Sequence, residues 1–188
     1  MEFSEVETYV RQILALEFSD RDHEIQVNTT RVKANMVARG LMNSTITLNN
    51  LSDFFLAEFK ARIDLVAKCA VEKTKALKPA KGHDKAIDSV ALFKAIASEQ
   101  FSGIESAYDE NASPIAASLQ SGIPTQIRQQ LTHRMNSHMK KNELTIEFEY
   151  KAAGNAGPKE ILALRPTFYG VGIDLKELWN RYMRRDDE

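Results

Sequence analysis

Residues 47–77 read TLNNLSDFFLAEFKARIDLVAKCAVEKTKAL. Leu48, Leu51, Phe55, Phe59, Ile63, Val66 and Ala70 recur at steps of three and four, the spacing that lines up one face of an α-helix. Phe54, Leu65 and Cys69 widen that face along one edge. No glycine or proline interrupts the run, so the pattern predicts one helix of about 46 Å. A compact chain of 188 residues has a diameter of about 42 Å. A helix that long spans the whole molecule. It predicts a mainly α protein, an elongated antiparallel bundle of about five helices.

The flanking sequence supplies the other helices. Val6, Val10, Ile13, Leu14 and Phe18 form an apolar stripe over 3–18. Ser19-Asp20 then offers an N-cap for a second helix over 21–40. Ile25, Val32, Met36 and Val37 carry its apolar side, and Gly40 is its candidate C-cap. Asn43, Ser44 and Thr45 beside Arg39 read as a helix connection, because their side chains bond readily to nearby backbone. The basic stretch KTKALKPAKGHDK (73–85), with Pro79 and Gly82, reads as a linker. Asp84 caps a helix over 85–108, where Val90, Phe93, Ala97, Phe101, Ile104 and Tyr108 share a face. Asp109-Glu110-Asn111 is expected to end it, and Ser113-Pro114 to start a short helix to about Gln120. Pro124 opens a further helix bearing Ile127, Leu131, Met135 and Met139.

One segment reads two ways. In ELTIEFEY (143–150), Leu144, Ile146, Phe148 and Tyr150 alternate with polar residues as in a half-buried strand. GNAGP (154–158) would then be the loop of a small β-hairpin near 143–164. Yet Met139, Ile146 and Tyr150 also continue the preceding helical face. Helix to about residue 152 is the preferred reading. It divides the chain into a helical bundle over 1–153 and an extended linker with a C-terminal amphipathic helix over 154–188.

That terminal segment, RPTFYGVGIDLKELWNRYMRR (165–185), concentrates apolar side chains and holds the sole tryptophan. Asp174 and Glu177 match a capping box, with Ile173 and Leu178 as its staple, so a short helix over 175–185 is expected. Phe168, Tyr169, Leu175, Leu178, Trp179 and Tyr182 are the candidate docking residues, for this chain's own bundle, for a second copy or for a partner groove. Trp179, Tyr182 and the arginines would also suit a membrane surface, but Asp186, Asp187 and Glu188 would be repelled by anionic lipid.

Charge and composition narrow the functional classes. The hydrophobic fraction is 43% and the charged fraction 27%, as in ordinary folded proteins. Residues 1–94 carry 14 basic and 13 acidic side chains, and residues 95–188 carry 11 and 13, so neither half has a nucleic-acid binder's basic footprint. A local positive face remains at Arg128, Arg134, His138, Lys140 and Lys141. No apolar run is long enough to span a bilayer. The N-terminus, with Glu2, Glu5 and Glu7, is unlike a signal peptide, so a cytoplasmic setting is expected.

No catalytic pattern emerges. Cys69, the sole cysteine, sits within the 47–77 helix without a histidine pattern and reads as a small buried apolar residue. His133 and His138 are five apart and so point to different helix faces, unlike metal ligands. Tyr169-Gly170-Val171-Gly172 lacks the third glycine of a dinucleotide loop. The expectation is a non-enzymatic interaction or scaffolding protein without metal or cofactor. It would associate with itself or with a protein partner. The second reading is a small nucleic-acid-binding regulator using the 128–141 face or the 73–85 linker.

Overall fold

The computed structural model describes residues 3–75, 84–120 and 122–155, with side chains through 152. They form four helices: α1 (Phe3–Ala38), α2 (Thr45–Lys75), α3 (Lys85–Ala116) and α4 (Gly122–Asn155). Cα proximity groups Met1–Gly154 into one unit and Asn155–Glu188 into another. The second unit lies, beyond Asn155, outside the described residues. So do the expected helix over 175–185 and the docking residues Phe168, Tyr169, Leu175, Leu178, Trp179 and Tyr182.

The bundle is assembled on α2. Every residue of the stripe from Leu48 through Leu51, Phe55, Phe59, Ile63 and Val66 to Ala70 is 0% exposed. Burial also reaches Leu56, Arg62, Val71 and Thr74 on other sides of the helix, because three helices meet it. Asn50 contacts Met36, and Arg62 bonds Asp22, so α1 runs antiparallel to α2. Phe55 meets Tyr108 edge-on at 6.0 Å, and Phe59 meets Phe101 at 5.8 Å. Hence α3 is antiparallel to α2 as well. Asp53 pairs with Arg134, and Thr74 bonds Tyr150, so α4 lies parallel to α2 and antiparallel to α3.

Local chemistry ends α1 and starts α3 where it was expected to. Gly40 has φ 67°, a conformation that glycine adopts without a Cβ penalty. The Gly40 N–H donates to Val37 O (2.9 Å) and the Leu41 N–H to Met36 O (2.8 Å), the paired bonds of a Schellman motif. The Ser44 and Thr47 hydroxyls both donate to Leu41 O at 2.6 Å, fixing the turn into α2. Asp84 accepts from the Ala86 N–H at 2.8 Å and caps α3.

Among the described residues the helix count is four, not five. Ser19-Asp20 does not break α1: both side chains are exposed, while Phe18, Ile25, Thr29 and Met36 carry the buried stripe past them. Two ties just beyond the expected break, Arg21–Glu58 (3.0 Å) and Asp22–Arg62 (2.6 Å), hold the continuing helix on α2. Likewise α3 does not end at 109–111. Tyr108, Ala112 and Ile115 keep its buried side continuous to Ala116, which outweighs the one helical N–H bond that Pro114 removes inside the helix. The β-hairpin near 143–164 is not supported, since 143–150 is helical within α4; residues 156–164 lie outside the described set.

One charged side chain sits inside this core. Arg62 is 5% exposed. Its guanidinium donates to Glu58 Oε1 (2.9 Å), Asp22 Oδ1 (2.6 Å) and Gln100 Oε1 (3.1 Å), and lies 5.0 Å from the Phe18 ring centre. It therefore joins α1, α2 and α3 at one point. Removing one partner of a buried charge cluster leaves the others desolvated and unmatched. We expect Arg62→Ala to destabilise the protein by about 3–5 kcal/mol in urea unfolding, and exposed Lys60→Ala to change it by less than about 0.5 kcal/mol. Equal, small effects for the two variants would refute this role.

Candidate functional site

The helix that carries the unusual surface is α4. Ile127, Leu131, Met135 and Ile146 are buried, 7%, 0%, 0% and 1% exposed, and they lie at helical spacing along its inner face. Near the end of that face the Tyr150 hydroxyl bonds Thr74 and donates to Val71 O at 3.3 Å, which ties the helix to the last turns of α2.

The alternation in 143–150 takes on a different meaning in this helix. Residues two apart are separated by about 200° around the axis, whereas residues four apart share a face. Ile146 and Tyr150 thus line the inner face. Leu144 and Phe148 fall together on the opposite face, each 52% exposed. A helix with one apolar stripe needs one covering surface, and a helix apolar on both sides needs two. The strand-like pattern is therefore a two-faced helix.

The positive residues expected at 128–141 are on α4, but they do not form an uncompensated patch. Arg128 makes a two-bond pair with Asp109 (2.8 and 2.7 Å), which raises the Arg128 pKa further. Arg134 pairs with Asp53 at 2.9 Å, and His138 Nε2 lies 2.7 Å from Asp64 Oδ1. Lys140 meets Glu143 at 3.1 Å. These residues face acidic groups of α2, α3 and α4 itself, so each works as a strut within the bundle. Lys141, also interacting, is exposed.

Glu143 is the focus of one such strut. Lys94 of α3 approaches it at 2.8 Å and Lys140 at 3.1 Å. The Lys94 bond, then the Lys140 bond, hold the Glu143 carboxyl below its usual range against the opposing effect of burial.

Other chemistry is muted. Cys69 is 7% exposed, and burial pushes its thiol up, away from the reactive thiolate. Burial likewise raises the Tyr108 phenol. Among the described residues no group of three or more His, Cys, Asp or Glu side chains is placed to hold a metal ion. None of the described helices is long and apolar enough to cross a membrane.

Sequence reasoning did not single out Leu144 and Phe148 as a surface, nor Arg62 as a hub. The first signal was present as the period-two pattern, legible once helix is assumed. The second was a lone arginine beside Phe55, Phe59 and Ile63 in the apolar stretch. No protein-family model, curated protein or solved structure matches the chain.

Glu143 makes a pH prediction. Its folded pKa lies below the unfolded value of about 4.3, so its stabilisation is present above that value and fades as pH falls through the folded pKa. The melting-temperature gap between wild type and Glu143→Gln should be largest near neutral pH and close in strongly acidic buffer. A gap that stays constant down to about pH 2 would contradict the assignment.

Proposed function

We propose that this protein is a non-enzymatic helical interaction or scaffolding protein that associates with a second copy of itself, with the outer face of α4 as its interface. The observation that carries this reading is the pair Leu144 and Phe148, each 52% exposed and one turn apart, on the side of α4 opposite its core contacts. Single exposed apolar residues are ordinary. A repeated pair on a helix already packed on its other side is the pattern of helix-against-helix recognition.

The geometry of the pair supports a second copy as the occupant. Antiparallel pairing of two such helices sets Leu144 near Phe148, as a two-fold interface requires. Two side chains alone bury less than the roughly 800 Å² per partner of a stable interface. The apolar terminal residues Phe168, Tyr169, Leu175, Leu178, Trp179 and Tyr182 belong to the same proposal as the further docking set. A cytoplasmic setting is also part of this reading. The second reading, a nucleic-acid-binding regulator, draws no support from the 128–141 face, where Arg128, Arg134, His138 and Lys140 each stand against a carboxylate.

Light scattering on a size-exclusion column tests the proposal. Wild type should run as a dimer or larger at tens of micromolar, and Leu144→Glu/Phe148→Glu should run as a folded monomer with unchanged helical circular dichroism. A wild-type monomer throughout that concentration range would sink the idea. So would a double variant that still associates.

A further inference from the structure

Helix α1 carries apolar side chains on two sides. Val10, Leu14, Phe18 and Ile25 line its inner face against the bundle. On the opposite side Tyr9, Leu16 and Val27 are 47%, 76% and 52% exposed. Their spacing brings all three within about 20° of one line along the helix. The Tyr9 ring is braced from α2, with Lys73 Nζ 5.6 Å from its centre. Scattered apolar residues on a surface are ordinary, but these belong to a repeat. Tyr9, Leu16 and His23 recur every seven residues, and so do Asp20, Val27 and Ala34, offset from Leu16 by four. This is the spacing with which one helix packs along another. The stripe from Tyr9 to Ala34 is about 38 Å long.

Two members of the repeat are polar, and they select the occupant. Asp20 and His23 are exposed and make no hydrogen bond or ion pair among the described residues. In an antiparallel pair of α1 helices, one register sets Asp20 of each copy opposite His23 of the other. The same register sets Leu16 opposite Val27 and Tyr9 opposite Ala34. An imidazole N–H can donate to the carboxylate in either charge state of the ring. Sliding the pair by one repeat sets Asp20 against Leu16, or His23 against Val27, which leaves a polar group unmatched in the seam. Parallel pairing sets Asp20 against Asp20, and like charges repel. The arrangement that satisfies the polar pair is the two-fold one. An apolar helix from an unrelated protein would leave both residues unmatched.

We propose that the outer face of α1 is a second self-association surface, on which another copy of this chain docks in the Asp20–His23 register. The contact does not involve α4. Glu17 and Glu24 lie along one edge of the stripe and face their counterparts across the two-fold, and a polar layer inside a helix pair costs stability. The contact therefore forms at several hundred micromolar rather than at tens. A two-fold contact closes between two chains, so a second one on another face links dimers into larger assemblies.

Disulfide capture tests this in a Cys69→Ala background that also carries Leu144→Glu/Phe148→Glu, so that pairing through α4 is absent. A mixture of Leu16→Cys and Val27→Cys chains, oxidised at several hundred micromolar, should give at least fivefold more cross-linked pair than either variant alone. In the proposed register these two positions face each other. Two Leu16→Cys positions stand about 16 Å apart along the axis, beyond the roughly 7 Å between Cα atoms that a disulfide spans. Adding Asp20→Lys to both chains should lower the yield at least fivefold, and the exchange Asp20→His/His23→Asp should retain it. A mixture that cross-links no better than the single variants would overturn the proposal, as would an exchange that abolishes the cross-link. An absent cross-link beside a wild-type dimer on the sizing column removes this contact alone. A cross-link beside a wild-type monomer at tens of micromolar supports it and removes the α4 contact alone.

Discussion

Burial of the α2 stripe places the other three helices. Leu48, Phe55, Phe59, Ile63 and Val66 are fully enclosed, and one neighbour cannot enclose a helix whose buried surface extends round to Leu56, Val71 and Thr74. Apolar surface of this extent drives association roughly in proportion to area. The polar contacts then set register. Arg62 reaches α1 and α3 together, and Thr74 meets Tyr150 of α4. A buried arginine adds little net stability over an apolar residue of similar volume, but it penalises every arrangement that leaves it unmatched. Its bonds to Asp22, Glu58 and Gln100 are all made in this one alignment of α1, α2 and α3.

What the sequence made legible follows from which signals tertiary packing leaves alone. The periodicity of 47–77, the αL glycine at Gly40 and the cap at Asp84 are local, and each appears where the spacing placed it. The breaks at Ser19-Asp20 and Ser113-Pro114 were read from residues able to cap a helix. Capping ability is permissive: the buried stripes through Phe18 and Ile25, and through Tyr108, Ala112 and Ile115, outweigh it. Arg62 was hard to see because its partners, Asp22 and Gln100, are about 40 residues away in sequence. The positive face at 128–141 could be read from α4 alone, but the acids that face it, Asp53, Asp64 and Asp109, come from other helices.

The ambiguity at 143–150 is the most informative of these. Alternating apolar residues satisfy a strand with one wet face, and equally a helix with two dry ones. The structure takes the helix, with Ile146 buried at 1% and Phe148 open to solvent at 52% exposure on opposite sides. A helix built this way is stabilised on its inner face by the bundle and gains further only when its outer face is covered. On the proposed reading, that links the local pattern to helix-mediated association. The embedded Cys69 and the matched charges along α4 agree with a molecule organised for packing.

A spin label on Phe148→Cys, in a Cys69→Ala background, tests the central claim most directly. If the outer face of α4 is covered by a second copy, the label is immobilised, and dipolar coupling between labels on two chains appears as concentration rises. A label that tumbles freely at every concentration, with no coupling, would contradict the account.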